Sequence, residues 1–297
     1  MSESSHHEER IARARRSLQG LAVGDCLGER FFGPPDAVLR RIEGRQMPKA
    51  PWGYTDDTEM ALSVFATLRD HKAIQQDELA MAFSKRMDRN RGYGRSAFDI
   101  LWNIRLGASW LSLSHEAFEG RGSYGNGAAM RVAPLGAYFA DDLDLCVQEA
   151  RLQSEITHSH AEGIAGAIAV ALATALVWQN RKAPSTGDEF LRAVHERTPP
   201  GETREGIRMA LELPADCTVD QAAKLLGNGG QITAQDTVPL CLWVVSKHMQ
   251  GSYEEAFWTT VSALGDRDTT CAIVGGILGV CMDAPTLWSE SCEPFRP

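Results

Sequence analysis

The chain has 297 residues, 43% hydrophobic and 23% charged, an ordinary globular composition that can bury a sizeable core. A formal net charge of −9 argues against nucleic-acid binding, which needs a basic stripe, and disfavours an anionic membrane surface. An acidic chain can still take an anionic substrate where bound metal ions invert the local charge.

Met1 to Glu9 reads as a polar N-terminal tail with no apolar signal-peptide region. The seven cysteines are scattered, show no C-x-x-C spacing and sit mostly in apolar runs, which fits reduced thiols in a cytoplasmic protein. Gly163 to Trp178 is the longest apolar stretch. It falls short of the roughly 20 residues of a membrane span and is expected to be a core helix.

Helical periodicity dominates from the start. Ile11–Val23 is amphipathic, and helices are predicted over Glu59–Leu68, Asp77–Met87, Ser96–Leu106, Ala128–Phe139 and Leu143–Glu155. Further helices are predicted over Ala161–Gln179, Gly187–Glu196, Arg204–Glu212, Val219–Leu226, Val238–His248, Tyr253–Leu264 and Thr269–Met282. Gly33–Pro51 reads as the longest irregular segment, and the chain after Asp283 as a surface tail. Gly275, Gly276 and Gly279 within one helix imply a close helix–helix approach, since each glycine costs about 1 kcal/mol relative to alanine. The expectation is a single all-α domain over residues 1–297.

Two acidic clusters sit where loops enter helices: Thr55-Asp56-Asp57-Thr58-Glu59 and Gly265-Asp266-Arg267-Asp268-Thr269. One carboxylate at each place is accounted for by helix capping, with Asp56 and Glu59 close to a capping box. Two at each place exceed that need, so the clusters are expected to meet around a hard cation. Aspartate and threonine oxygens favour Mg²⁺ or Mn²⁺ over zinc. Gly122 to Arg131 carries three glycines and reads either as a turn or as a bed of backbone N–H groups for phosphate. Thr157-His158-Ser159-His160 lacks the partners of a zinc shell. Gly92-Tyr93-Gly94-Arg95 is a loop able to close over a nucleotide, or equally a solvated one.

In this order, the motifs G-D-C-L-G (Gly24–Gly28), T-D-D-T (Thr55–Thr58), R-G-Y-G (Arg91–Gly94), G-N-G-A-A-M-R (Gly125–Arg131), T-H (Thr157–His158) and G-D-R-D-T (Gly265–Thr269) resemble the ADP-ribosylglycohydrolase family over nearly the whole chain. The resemblance implies an orthogonal all-α fold with a central metal cleft. It implies one or two Mg²⁺ or Mn²⁺ ions held by Thr55, Asp56, Asp57, Asp266, Asp268 and Thr269. Ser123, Tyr124, Gly125, Asn126, Gly127, Gly94 and His158 would contact substrate. The implied reaction is hydrolysis of the bond between ADP-ribose and a protein side chain such as arginine or serine.

Two departures stand out. The family often reads G-D-x-x-G-x-x-x-E with an acid/base glutamate, and here that position is Phe32. The usual D-T-D-T is D-R-D-T, which places Arg267 between two expected ligands. Glu29, in a bent loop, and Asp57 are the expected proton carriers, and Arg95 is expected to meet the diphosphate. A catalytically weak ADP-ribose-binding module is the alternative that Phe32 suggests.

Overall fold

The computed structural model of the chain describes residues 3–295. Its helices are α1 (Glu3–Gly28), α2 (Pro35–Glu43), α3 (Asp56–His71), α4 (Gln76–Arg86), α5 (Arg95–Arg105), α6 (Trp110–Gly120), α7 (Gly127–Met130), α8 (Ala133–Tyr138) and α9 (Leu143–Glu155). There follow α10 (Ala161–Asn180), α11 (Gly187–Arg197), α12 (Glu202–Glu212), α13 (Val219–Leu226), α14 (Ala234–His248), α15 (Tyr253–Ser262), α16 (Arg267–Gly279) and α17 (Thr286–Ser291). Among the described residues there is no strand, only two isolated bridges. The architecture is all-α, as its periodicity predicts.

The differences are local. Residues 3–9 are not a tail: they form the first turns of α1, where the ring of His7 meets the Tyr138 hydroxyl at 2.8 Å. The predicted helix Ala128–Phe139 is two short helices, because Pro134 can sit only in a first turn. The segment predicted as irregular contains α2, and the tail contains α17.

The axis of the fold is the antiparallel pair α1 and α16. Gly20, Gly24 and Gly28 recur every fourth residue, on one face of α1. A Cβ at Gly24 would lie 2.1 Å from the Cys271 carbonyl oxygen, and one at Gly28 2.5 Å from that of Arg267. Backbone thus lies on backbone, with Gly275 and Gly279 answering Gly20 from α16. The Tyr253 hydroxyl donates to the Gly20 carbonyl at 2.5 Å and Ser17 Oγ to that of Gly276 at 2.7 Å. Because the helices run antiparallel, the C-terminal end of α1 lies beside the N-terminal end of α16.

Helix α10 fills the centre. With 20 residues and a mean hydropathy of 1.8 it is long and apolar enough to cross a membrane, but 78% of that stretch is buried inside the protein. Its apolar surface is already spent on the core, and Gly136 of α8 lies against its Ala171 carbonyl.

Candidate active site

The site is built where three chain segments end. Thr55, in extended conformation, caps α3 by accepting the Asp57 N–H at 3.3 Å. The predicted capping box of Asp56 and Glu59 is therefore not formed, since Asp56 is already helical. Glu59 turns instead to the neighbouring loop, accepting the Tyr93 hydroxyl at 2.7 Å and the Asp88 N–H at 2.9 Å. At α16, Asp266 holds the cap position but makes no capping bond. Its carboxylate accepts from Asn126 Nδ2 at 2.8 Å. Capping thus explains neither aspartate pair.

Between them stands Asp25 of the G-D-C-L-G motif, fully buried near the end of α1. It accepts the backbone N–H groups of Thr55 (3.0 Å) and Thr58 (3.1 Å), and both their hydroxyls, at 2.8 and 2.5 Å. Four donors on one buried carboxylate fix the start of α3 against α1. The signal for it was available: an aspartate one residue after Gly24, on a helix whose glycines demand close packing.

Thr55 Oγ1 lies 2.8 Å from both Asp25 Oδ1 and Asp57 Oδ2. A hydroxyl has one proton to donate, so Thr55 can donate to only one of these carboxylates at a time. Burial first, and then the Asp268 charge, raise Asp25 to about 7 against the pull of the Thr58 and Thr55 hydrogen bonds. Burial, then Asp25 and Asp268, hold Asp56 and Asp57 well above the usual carboxylate range. Burial and Asp268 raise Asp266 to about 7. The two clusters therefore meet, and they repel.

Two buried oxygens, Asp57 Oδ1 and Asp268 Oδ1, have no hydrogen-bond partner. Orphaned carboxylate oxygens in a repelling group fit a hard divalent cation, which supplies both charge and coordination. Among the described residues no three Asp, Glu, His or Cys groups form a ready-made shell. Thr269, beside Asp266, favours the charged form of that carboxylate.

Glu29 lies in a 3-10 turn that continues α1, not in the bent loop expected of it. Helical continuation puts it one turn beyond Asp25, on the same face. Its side chain is exposed, yet partial desolvation followed by the Asp268 charge raises its pKa.

On the opposite side, Tyr124 and Gly125 pair with the segment before α14. The Ala234 N–H donates to the Tyr124 carbonyl at 3.0 Å and the Asn126 N–H to that of Ile232 at 3.2 Å. The Gly125 N–H donates to Ser123 Oγ at 3.2 Å. Two amides of the expected phosphate bed are thus already committed. Beneath the loop lies His158, buried, its Nδ1 2.7 Å from Thr157 Oγ1. Burial, helped by the Arg131 cation, lowers its pKa to about 3, so the imidazole is neutral. A Cβ at Gly127 would lie 2.8 Å from the His158 ring, so the loop needs glycine there to descend onto it. Arg131 is itself fully buried and bound to Gln153 Oε1 and the Gln153 carbonyl, each at 2.8 Å.

The Arg91–Gly94 loop packs on the first cluster. The Asp56 N–H donates to the Arg91 carbonyl at 2.8 Å, and the Arg91 guanidinium stacks 3.8 Å above the Tyr54 ring. Gly94 is exposed, with open space around it. Arg95 does not face the aspartates as expected: its side chain is 96% exposed and reaches only towards Asp99. Among the described residues Arg267 pairs with no carboxylate. It turns out of the cluster, and its guanidinium sits 5.0 Å from the centre of the Phe32 ring.

An all-helical scaffold that gathers aspartates from three helix ends, beside a loop floored by a neutral histidine, defines an all-α protein with a buried acidic centre. The chain belongs to the ADP-ribosylglycohydrolase family, whose model matches residues 6–295. It is 29% identical to human ADP-ribosylhydrolase ARH3, over 96% of this chain and 90% of that protein. It is 26% identical to an ADP-ribosylarginine hydrolase of Pseudomonas putida, over 95% of this chain and 75% of the relative. A solved structure described as an ADP-ribosylglycohydrolase-related protein complex superposes with a TM-score of 0.68 over 96% of this chain and 94% of its own, at 23% identity. That likeness shows the shared fold. Membership supports hydrolysis of ADP-ribosyl compounds as the activity.

Proposed function

We propose that the protein hydrolyses the glycosidic bond at C1″ of ADP-ribose attached to an arginine or serine side chain, using Mg²⁺ or Mn²⁺. The observation that supports this reading best is the meeting of Asp56 and Asp57 with Asp266 and Asp268 around two orphaned carboxylate oxygens. Thr55, Asp56, Asp57, Asp266, Asp268 and Thr269 would hold one or two ions. A bound ion would supply Lewis-acid polarisation and offset the aspartate charge.

The chain's own residues do the rest. Ser123, Tyr124, Gly125, Asn126 and Gly127 bind and orient the ADP-ribose over the neutral His158, and Gly94 leaves open space on the opposite side. Glu29 Oε receives a proton from the attacking water as its oxygen bonds to C1″. The bond from C1″ to the acceptor breaks, and the acceptor leaves with the electron pair and takes up a proton. Asp57 is the second carboxylate in reach, and the buried aspartates face the positive charge that grows on the sugar.

Incubation with Mg²⁺ and ADP-ribosylated arginine and serine peptides, followed by detection of free ADP-ribose, tests the reading. The exposed Phe32, in place of the family's glutamate, favours a second reading: an ADP-ribose-binding protein with little turnover. Binding of ADP-ribose without its release from either peptide would select that reading.

A further inference from the structure

At the edge of the acidic centre one side chain joins three segments of the chain. Arg91, the first residue of the R-G-Y-G motif, lies on the loop between α4 and α5. Its carbonyl accepts the Asp56 N–H at 2.8 Å. Its guanidinium donates through Nη1 to the Tyr54 carbonyl at 2.8 Å and stacks 3.8 Å above the Tyr54 ring. Arg91 thus holds the residues on both sides of Thr55. The third segment comes from the far end of the chain, where Glu293 forms an ion pair with the same guanidinium.

The two partners of this contact are anchored separately. Glu59 of α3 accepts the Asp88 N–H and the Tyr93 hydroxyl, which fixes the loop before and after Arg91. The Trp52 N–H donates to the Ser291 carbonyl and the Glu293 N–H to the Trp52 carbonyl, both at 2.8 Å. Trp52 is buried in the core, so Glu293 is placed by a rigid neighbour. Phe295 then meets the Tyr54 ring edge to face, with 6.5 Å between ring centres.

Such a brace answers a specific need. The charges of Asp25 and Asp268 oppose those of Asp56 and Asp57, which works against keeping the start of α3 beside α1 and α16. Asp25 restrains it from within, through Thr55 and Thr58. Arg91 restrains it from the loop side, through Tyr54 and Asp56.

We propose that Arg91, oriented by Glu293, is a positioning residue that keeps Thr55, Asp56 and Asp57 in place for a divalent cation; this rests on the metal reading given above. It acts through the backbone of Tyr54 and Asp56. A planar guanidinium can stack on a ring and donate in its own plane at once, which a lysine ammonium cannot do. The C-terminal segment is thereby part of the metal site's support, although it carries none of its ligands.

Titration of the full-length protein with Mn²⁺, followed by the electron paramagnetic resonance signal of the free ion, tests this alongside melting without metal. Arg91→Gln should weaken Mn²⁺ binding about tenfold, the low end for a residue that supports metal ligands. Glu293→Gln should weaken it less, with a metal-free melting temperature close to that of the wild type, and Arg91→Lys should recover part of the loss. Arg95→Gln, four residues along and in solvent, should bind as the wild type does. If Arg91→Gln does not fold, Glu293→Gln decides the matter. Wild-type Mn²⁺ affinity in Glu293→Gln and in any folded Arg91→Gln, or an equal loss in Arg95→Gln, would overturn this proposal alone. A wild type that binds no Mn²⁺ at millimolar concentration would overturn the metal reading and this proposal together.

Discussion

The Arg267 guanidinium lies over the Phe32 ring, 5.0 Å from its centre, so the two positions at which the chain leaves the family's usual pattern touch each other. The contact joins the first turn of α16 to the end of the 3-10 turn after α1. A stacked guanidinium gains cation–π attraction of roughly 0.5–2 kcal/mol, which accounts for Arg267 turning away from its flanking aspartates. Burial lowers its pKa, against the raising effect of Asp268 and Asp266 nearby.

The charge of Arg267 should still oppose a second cation. Wild-type protein is expected to bind fewer than two Mn²⁺ per chain in equilibrium dialysis, and Arg267→Thr to bind more. Two tightly bound ions in the wild type would contradict this.

Asp268 contributes to the repulsion felt by Asp25, Asp56, Asp57 and Asp266. Asp268→Asn should therefore raise the melting temperature of the metal-free protein, by a few degrees, while abolishing the rise that millimolar Mg²⁺ gives the wild type. Asp56→Asn should lose the metal response as well. Loss of the metal response with a lowered metal-free melting temperature in Asp268→Asn would mean that the aspartate supports the fold instead of straining it.

Glu29 stands one helical turn from Asp25 and close enough to Asp268 to feel its charge. Glu29→Gln should lower turnover by at least about tenfold and leave ADP-ribose affinity nearly unchanged. Unchanged turnover would pass the proton to Asp57.

His158, with a pKa lowered to about 3, is neutral in the folded protein at any pH above that value, whereas the unfolded chain protonates near 6.5. A histidine with a depressed folded pKa contributes stability above its unfolded pKa, and loses it as pH falls from about 6.5 towards about 3. The loss approaches about 1.4 kcal/mol per pH unit. Urea unfolding of wild type and His158→Asn at pH 6.5 and 4.5 should show a smaller acid loss in the variant. Equal losses would mean that His158 is not held neutral.

Much of the molecule was legible in the sequence, because helices and caps are local. Leu143–Glu155 and Val219–Leu226 have the bounds their periodicity predicts, and the paired aspartates lie at helix starts where the motifs place them. Gly275 and Gly279 announced a close helix contact. Family membership was readable for a related reason, since the order and spacing of short motifs survive in one dimension.

Tertiary structure alone decided what those motifs do together. Asp25 and Glu59 look like ordinary helix carboxylates until folding gives one four donors from Thr55 and Thr58, and gives the other Tyr93. Arg95 and Arg267 both read as cations for the site, and packing sends one into solvent and the other onto Phe32. Sequence spacing fixes which side chains share a helix face, through a repeat of about 3.6 residues. Which face meets which is set by backbone contact between Gly24 and Cys271, residues almost the full chain apart, and a local pattern carries no record of that distance.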